Sequence, residues 1–340
     1  MQAQDIKRRI RSVKSTQQIT RAMKFVAAAK LRRAQERMLS MRPYADAIDG
    51  LVKHVAEDLV GDEHPLLSPH PKLERVAYVL IAGDRGLAGG FNTNLFRAVG
   101  EYVRSKRGVE PVFFAVGKRT VSWLRKTEFR VVRSYHDVFE KLSYIMAGDV
   151  CEKLVEMMSA GGDERIDEAY VVYNEFASML TQRPVIRRLL PISVGDILPR
   201  EKSADAPAAG DGETVLEEIV LEEAPDDIFD LSDAEEELME QQGEMEAGEK
   251  AAPVRPVYEL LPDARTALDK LMSRRMATEL YRGMLESYAA ELAARMSAMD
   301  NAANNAEEMV SRLTLELNRA RQAGITMELL DIIGGSDAIN

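Results

Sequence analysis

The sequence predicts a mixed α/β protein. Two long helices, one at each end of the chain, pair into a two-stranded coiled coil beside an α/β domain with a mostly parallel sheet. Three observations predict this fold class. A seam of apolar and small residues with coiled-coil spacing runs through the last quarter of the chain. A second seam with the same spacing opens the chain, and short apolar runs alternate with helical patterns between the two.

The C-terminal seam advances by four and three residues in turn, and the mean of 3.5 is the repeat of a coiled coil. From residue 264 to residue 323 the chain has no proline and a single glycine, Gly283. A helix from residue 264 to residue 333 would measure roughly 105 Å, so it must pair with another helix, project from its domain or enter a partner. The seam consists of Leu285, Ala289, Leu292, Met296, Met299, Ala303, Ala306, Val310, Leu313, Leu317, Ala320 and Gly324.

The N-terminal seam marks the predicted pairing partner. Neither proline nor glycine occurs before Pro43, which is expected to interrupt or kink the helix. The middle of the seam is polar, which costs stability but fixes the register of paired helices. An ordinary amphipathic helix packed on its own domain is the alternative. The seam consists of Ile6, Ile10, Val13, Gln17, Thr20, Lys24, Ala27, Leu31, Ala34, Met38 and Met41.

Between the two helices, residues 73–199 alternate predicted strands and helices. This alternation predicts a Rossmann-like domain whose mostly parallel sheet is covered on both faces. No helix separates the last two strands, so one antiparallel edge is expected. Strands are predicted at 75–82, 111–116, 129–134, 168–174 and 185–192, and helices at 91–106, 118–126 and 138–159.

The formal net charge of −11 is unevenly distributed along the 340 residues. Residues 1–42 hold twelve Lys or Arg against two acidic residues, and residues 201–250 hold nineteen acidic residues against two lysines. The acidic segment is poor in aromatic residues, so it is predicted to be mobile and to lack a core of its own. The predicted organisation is an N-terminal shaft helix (1–64), an α/β base domain (65–199), an acidic mobile insertion (200–256) and a C-terminal shaft helix (257–340).

Composition and motifs argue against several classes of protein. No run of 18 apolar residues occurs, so no transmembrane helix is predicted, and the N-terminus lacks the apolar core of a secretory signal. Cys151 is the only cysteine, which excludes an internal disulfide, favours a reducing compartment and suggests a small core residue. The four histidines show no metal-ligand spacing.

A glycine-rich turn, GDRGLAGGFN at 83–92, follows the first predicted strand, where nucleotide phosphates often bind. Neither GxGxxG nor the Walker pattern is present, and residues 117–120 match only the end of the latter. Asp84 and Arg85 could form a catalytic pair, but a structural turn in which Asp84 caps the following helix is favoured. We therefore predict no catalytic site, no cofactor and no metal.

The basic N-terminal helix is also consistent with the hypothesis that the protein binds nucleic acid. Its Lys and Arg residues spread around the helix, and Phe25 is the only aromatic residue in 1–42. An enclosing acidic sleeve therefore fits at least as well as a groove in DNA. A basic coiled-coil protein that binds nucleic acid or acts as a scaffold is the alternative function.

Three separated segments resemble the gamma subunit of F-type ATP synthases. They are IKRRIRSVKSTQQITRAMKFVAAAKLRRAQ at 6–35, the turn at 83–92, and AARMSAMDNAANNAEEMVSRLTLELNRARQAGITMELLDIIGG at 293–335. The resemblance implies that the two helices form an antiparallel coiled coil, the central shaft within a hexamer of alternating alpha and beta subunits. It places the base domain beside the epsilon subunit and the ring of membrane c subunits.

The resemblance further implies a rotor without bond chemistry of its own. Rotation of the c-ring would be coupled to conformational changes of the catalytic beta subunits, in the synthesis and hydrolysis of ATP by a proton-translocating ATP synthase. Such a chain is expected as a peripheral protein on the cytoplasmic face of the bacterial plasma membrane, attached only through the c-ring and binding no nucleic acid. The choice of H⁺ or Na⁺ belongs to the c-ring.

The resemblance also implies contact residues. Positions that match contacts with the alpha/beta hexamer are Met23, Lys24, Arg295, Arg321, Gln322 and Thr326. Positions that match the foot of the shaft, near the c-ring and the epsilon subunit, are Tyr258 and Glu259. The chain departs from the family pattern at Gly324, at Met327 and in the acidic segment, which either regulates rotation or is a solvated loop.

Overall fold

The computed structural model describes residues 3–58, 66, 70, 72–192 and 264–337, all of which belong to one compact unit. The predicted acidic insertion at 200–256 lies outside the described residues, as do Tyr258 and Glu259. The described elements are α1 (Ala3–Asp58), β1 (Arg75–Ile81), α2 (Phe91–Ser105), β2 (Glu110–Val116), α3 (Lys118–Leu124), β3 (Arg130–Tyr135), α4 (Tyr144–Ser159), a 3-10 turn (Gly162–Glu164), β4 (Glu168–Phe176), β5 (Gln182–Leu190) and α5 (Ala264–Asp337).

The described strands form one sheet in the order β3-β2-β1-β4-β5. Strand β1 pairs in parallel with β2 and with β4, and β2 pairs in parallel with β3. Strand β5 runs antiparallel to β4. The predicted mostly parallel sheet with one antiparallel edge is therefore confirmed.

The centre of the sheet is the core of the base domain. Every side chain at 76–81 and 112–116 is at most 1% exposed, and such continuous apolar runs are typical of parallel strands covered on both faces. One face packs against Leu95 and Val99 of α2 and Leu124 of α3. Helix α5 lies along β4 and also packs against α4, so the base domain is built directly onto the C-terminal shaft helix.

Helices α1 and α5 pair in antiparallel orientation, as the resemblance implied. As the residue number rises along α1 from 17 to 24 to 49, the number of its partner on α5 falls from 307 to 300 to 275. The three pairs are Gln17 with Glu307 (3.2 Å), Lys24 with Asp300 (2.7 Å) and Asp49 with Arg275 (2.7 Å). At about 1.5 Å per residue, the 74 residues of α5 extend roughly 110 Å.

The seams predicted from the sequence are the surfaces that the two helices bury. Seam residues that are at most 4% exposed are Ile6, Ala27, Leu31 and Ala34 on α1 and Leu285, Ala289, Leu292, Met299 and Ala303 on α5. The polar positions Gln17 and Lys24 are half-buried between them. Gly324 is exposed, so the buried seam ends with the half-buried Ala320, one step earlier than predicted.

Helix α1 runs past Pro43, whereas α4 begins later than predicted. Helix α1 continues through Pro43 to Asp58. Beyond the proline, Ile48 and Val52 are at most 5% exposed, and their burial offsets the backbone hydrogen bond that a proline removes. Helix α4 begins at Tyr144 rather than at residue 138, because Ser143 caps it by accepting a hydrogen bond from the backbone N–H of Ile145 (3.2 Å).

Within the described part of the chain, no helix combines the length and the apolar character needed to cross a membrane.

Candidate functional site: the shaft and its junction with the sheet

The distal shaft, which we define as 3–26 of α1 with 299–326 of α5, exposes large apolar side chains. Their exposed fractions are 58% for Ile19, 62% for Phe25, 56% for Val26, 62% for Leu315 and 51% for Ile325. Scattered apolar residues are normal on a protein surface, but several large ones on a rod of only two helices indicate a surface that a partner covers. Apart from the half-buried Lys24, the cationic residues of this part of α1 are also exposed, so the expected partner surface is partly acidic.

Two ion pairs cross the distal shaft, and one of them involves Lys24, a predicted partner contact. Lys24 donates to Asp300 at 2.7 Å, with both side chains more than a third exposed. One turn away, Arg21 bonds to Glu307 at 2.8 Å. The predicted contact residue Met23 lies between them on α1 and is half-buried. Lys24 therefore has a partner within the chain and also reaches the shaft surface.

The tip of α5 presents the other predicted contact residues. Arg321, Gln322 and Thr326 are all exposed, and the Thr326 hydroxyl donates to the backbone carbonyl of Gln322 at 3.0 Å. Continued from the three pairs above, the helix register places the first described residues of α1 near residue 321. The described part of α5 beyond that point extends past α1, which leaves these side chains available on several sides.

Arg295, the remaining predicted contact residue in the described chain, faces inward. Its side chain is 13% exposed, and it bonds to Glu291 at 2.5 Å and to the backbone carbonyl of Gly86 at 3.4 Å. The Glu291 side chain is 3% exposed. Burial raises the pKa of Glu291, and the guanidinium of Arg295 opposes that rise. The structure thus places Arg295 at the junction between the shaft and the base domain.

The glycine-rich turn forms the other side of this junction. A Cβ added at Gly83 would lie 2.7 Å from the Glu291 carboxylate, so only glycine permits this close approach. Ala88 and Phe91 pack against Ala290 and Ala294 of α5 in one apolar cluster. The turn is therefore a packing surface for the shaft helix.

Asp84 has a structural role in the turn, which is the role that the sequence favoured over catalysis, but it does not cap the helix that follows it. Its carboxylate accepts hydrogen bonds from the backbone N–H groups of Lys118 (2.9 Å), Asp137 (3.1 Å) and Phe139 (3.2 Å). Lys118 is the first residue of α3, so Asp84 joins the turn to the next helix along the sheet edge. The N-cap of α2 is Gly90, which has no side chain to offer. Arg85 forms an ion pair with Glu140.

The same contacts argue against a nucleotide site at this turn. The backbone N–H of Lys118, which would face a phosphate in a Walker-like loop, already bonds to Asp84. Gly117 has φ +96°, and a Cβ there would lie 2.1 Å from the backbone carbonyl of Ala82. The space between Gly117 and the end of β1 is thus filled by the chain itself, and Asp84 and Arg85 are engaged in contacts within the base domain.

A second, lower attachment joins α5 to the antiparallel edge of the sheet. Arg187 of β5 pairs with Glu175 of β4 and lies 3.6 Å from Glu279 of α5. Its guanidinium also lies over the ring of Tyr173, 5.6 Å from the centroid. Gly283 of α5 packs directly on that ring, where an added Cβ would be 3.2 Å from the tyrosine. This close contact explains why position 283 is a glycine.

Other candidate chemical groups serve the core or the surface. Cys151 is buried, and burial raises the pKa of its thiol. His70 Nδ1 lies 2.9 Å from the guanidinium of Arg165. In the described ranges, no group of three His, Cys, Asp or Glu side chains is arranged to hold a metal ion. Near the start of β1 a polar cavity of about 290 Å³ is lined mainly by charged residues, among which Arg165 and Asp167 form an ion pair at 3.2 Å.

The sequence did not single out Glu291, Asp300 or Glu307 as functional residues. Asp300 and Glu307 lie seven residues apart beside the seam, which is the spacing of charges that flank a coiled coil. A signal for Glu291 is an acidic residue among the alanines of a buried helix face, with Arg295 four residues later. Both patterns indicate contact residues only once the pairing of the two helices is known.

These features define a class of protein: a long two-helix shaft rigidly mounted on an α/β domain, whose nucleotide-like turn serves packing. The family model described as ATP synthase matches residues 2–339. The ATP synthase gamma chain of Heliobacterium modesticaldum is 37% identical over 335 residues, covering 98% of both chains. That of Pelotomaculum thermopropionicum is 37% identical over 336 residues, again covering 98% of both. The chain belongs to the ATP synthase gamma chain family.

Solved structures share the fold. A chain of the Euglena gracilis mitochondrial ATP synthase, in the OSCP/F1/c-ring assembly, matches with a TM-score of 0.58 and 19% identity over 99% of this chain and 94% of its own. A chain of the Tetrahymena thermophila mitochondrial ATP synthase, from the central stalk and c-ring, matches with a TM-score of 0.52 and 21% identity over 84% and 99%. Nothing in these matches favours the alternative of a nucleic-acid-binding or scaffolding protein.

Proposed function

We propose that this chain is the central stalk of an F-type ATP synthase, turning inside an alpha/beta hexamer and coupling rotation of a c-ring to conformational changes of the catalytic beta subunits. The observation that carries the proposal is the difference between the two halves of the shaft. Its distal half exposes apolar and cationic side chains, whereas its proximal half is clamped onto a sheet domain. The solved ATP synthase stalks that share this fold support the same role.

The chain performs no bond chemistry in this role. An antiparallel pair of different helices has a different surface on each side, so each angular position offers a different face to a given beta subunit. A ligand shifts a conformational equilibrium only by its differential affinity for the states. The shaft is such a ligand, and its rotation changes which beta conformer is favoured at each site.

The predicted contacts become specific proposals. Met23 and Lys24 contact the hexamer from the middle of the distal shaft, and Arg321, Gln322 and Thr326 contact its upper loops. Arg321 is suited to carboxylates, because a guanidinium makes two parallel hydrogen bonds to a carboxylate. Arg295 remains a proposed coupling residue, supported here by its position at the junction with the base domain.

The base of the chain is proposed to meet the epsilon subunit and the c-ring, with Tyr258 and Glu259 at the foot. The chain would then be peripheral, held through the c-ring at the cytoplasmic face of the bacterial plasma membrane. The domain limits proposed are a shaft helix at 1–64, a base domain at 65–199, an acidic insertion at 200–256 and a second shaft helix at 257–340. The family membership of the chain supports this placement.

Substitution at the tip of α5 tests the proposal in the assembled complex. Arg321→Ala and Gln322→Ala should each weaken assembly or lower the number of ions pumped per ATP, because each removes a proposed grip on the hexamer. The α-helix content and melting temperature of the isolated chain should not change, since both side chains are exposed. Arg319→Ala, which removes an exposed cation two residues before Arg321, is the matched control. Normal assembly and pumping in both tip variants would reject the proposed contacts, and failure of the wild-type chain to co-purify with an alpha/beta hexamer would reject the function.

A further inference from the structure

We propose that Glu291 is a positioning residue for torque transmission: it holds Arg295 against the glycine-rich turn, so that turning force passes between the base domain and the shaft at this joint. The inference rests on the proposed function and deepens it. It also gives Arg295 a role inside the chain, at the junction with the sheet.

One face of α5 touches three successive points at the end of β1. Ser287, Glu291 and Arg295 are four residues apart, so they lie on the same side of the helix. Ser287 Oγ lies 3.5 Å from the carbonyl oxygen of Ile81, Glu291 lies against Gly83, and Arg295 reaches the carbonyl of Gly86. The helix is therefore held along two of its turns and not at a single point.

The turn is also held from its other side, by contacts within the base domain. The carboxylate of Asp84 accepts three backbone hydrogen bonds from α3 and from the loop at 137–139. Arg85 adds its ion pair with Glu140. The turn thus forms a bridge: Asp84 fixes it to the sheet domain, and Glu291 with Arg295 fixes it to the shaft.

Glu291 is the member of this bridge that orients the others. Its carboxylate lies against Gly83 and bonds to Arg295, and the whole residue is 2% exposed. Breaking one side of a buried ion pair leaves the other charge uncompensated, so loss of Glu291 releases the guanidinium of Arg295 from its fixed orientation. The apolar packing of Ala88, Phe91 and Ala290 would remain. Loss of Glu291 therefore removes the fixed orientation of Arg295 without removing the apolar contact between α5 and the turn.

The test uses the assembled, membrane-reconstituted complex with Glu291→Gln, which keeps the shape of the side chain and removes its charge. We expect assembly and a near-normal rate of ATP hydrolysis, but a severalfold fall in ions pumped per ATP. We also expect wider angular fluctuations of a single-molecule probe on the base domain while the hexamer is immobilised. Glu291→Asp, which retains the charge, should restore part of both readouts. A residue needed only for folding would change yield and melting temperature without changing the pumping ratio.

Glu156→Gln on α4 is the matched control, because it removes the same charge from an ion pair with Lys153 (2.8 Å) in which the glutamate is exposed. If Glu291→Gln does not assemble, Gly83→Ala probes the same joint, since its added methyl group must displace the Glu291 carboxylate. Pumping and angular fluctuations equal to those of Glu156→Gln, in whichever of the two variants assembles, would overturn the inference. Such a result would leave the rotor function intact, whereas a wild-type complex without rotation would reject the function itself.

Discussion

Gly283 and Gly324, two of the glycines within α5, offer a paired test of how the shaft helix is seated on the sheet. Gly283 and Gly324 lie in the same helix, and glycine in a helix interior costs about 1 kcal/mol relative to alanine. In Gly283→Ala the new Cβ would lie 3.2 Å from the ring of Tyr173, which is 1% exposed and covered by Arg187. In Gly324→Ala the new Cβ meets open space.

The expected effects therefore differ in sign. Overpacking a buried contact costs about 1–3 kcal/mol, which exceeds the gain in helix propensity, so Gly283→Ala should lower the free energy of unfolding by up to about 2 kcal/mol. Gly324→Ala should stabilise its own segment by up to about 1 kcal/mol, because only propensity changes there.

Urea unfolding of the purified chain measures the first effect, and amide hydrogen exchange around residue 324 measures the second. Equal stabilisation by both substitutions would refute the reasoning, because it would mean that α5 does not need its close contact with Tyr173.

Two further predictions concern ionisable groups in the base domain. Hydrogen bonds from Tyr135 (2.5 Å) and Arg133 (2.7 Å) lower the pKa of Asp149. A lowered folded-state pKa stabilises the native chain at neutral pH, and this contribution is lost as the pH falls below about 4. Asp149→Asn should therefore be less stable than wild type at pH 7 and approach it in acid; a difference in unfolding free energy that stays constant from pH 7 to pH 3 would contradict this. Burial raises the pKa of the Cys151 thiol, so a thiol reagent should label it only in denaturant, and rapid labelling of the native chain would show that the site opens.

Periodic features of the fold could be predicted from the sequence, because they depend on the average environment of many residues. Leu31 and Leu292 are buried in the shaft for the reason the seams indicated: their spacing keeps them on the facing sides of two helices. The mostly parallel sheet with one antiparallel edge also follows from the alternation of strands and helices. Pro43 does not end α1, because the burial of Ile48 and Val52 beyond it offsets the backbone hydrogen bond that a proline removes.

Features that depend on single tertiary contacts could not be predicted in the same way. Asp84 was expected to bond to the helix after it, but its partners lie 34, 53 and 55 residues away. Arg295 was assigned to the partner surface because a resemblance between sequences transfers a role without its surroundings. Its inward orientation depends on where Glu291 meets the turn, and that meeting exists only once α5 has docked on the sheet.

The distribution of polar and apolar contacts along the shaft indicates where it should twist under load. In the distal part, the seam contains Gln17, Thr20 and Lys24, and exposed ion pairs such as Lys24 with Asp300 contribute about 0–1 kcal/mol each. These pairs fix register more than they resist rotation. Nearer the base domain, Leu31 packs with Leu292 in a buried apolar cluster, and α5 is clamped to the sheet at two levels. The distal shaft should therefore twist more easily than the proximal part. Force that enters at the base should then pass through the stiff proximal part and reach the exposed apolar side chains before the paired helices begin to twist.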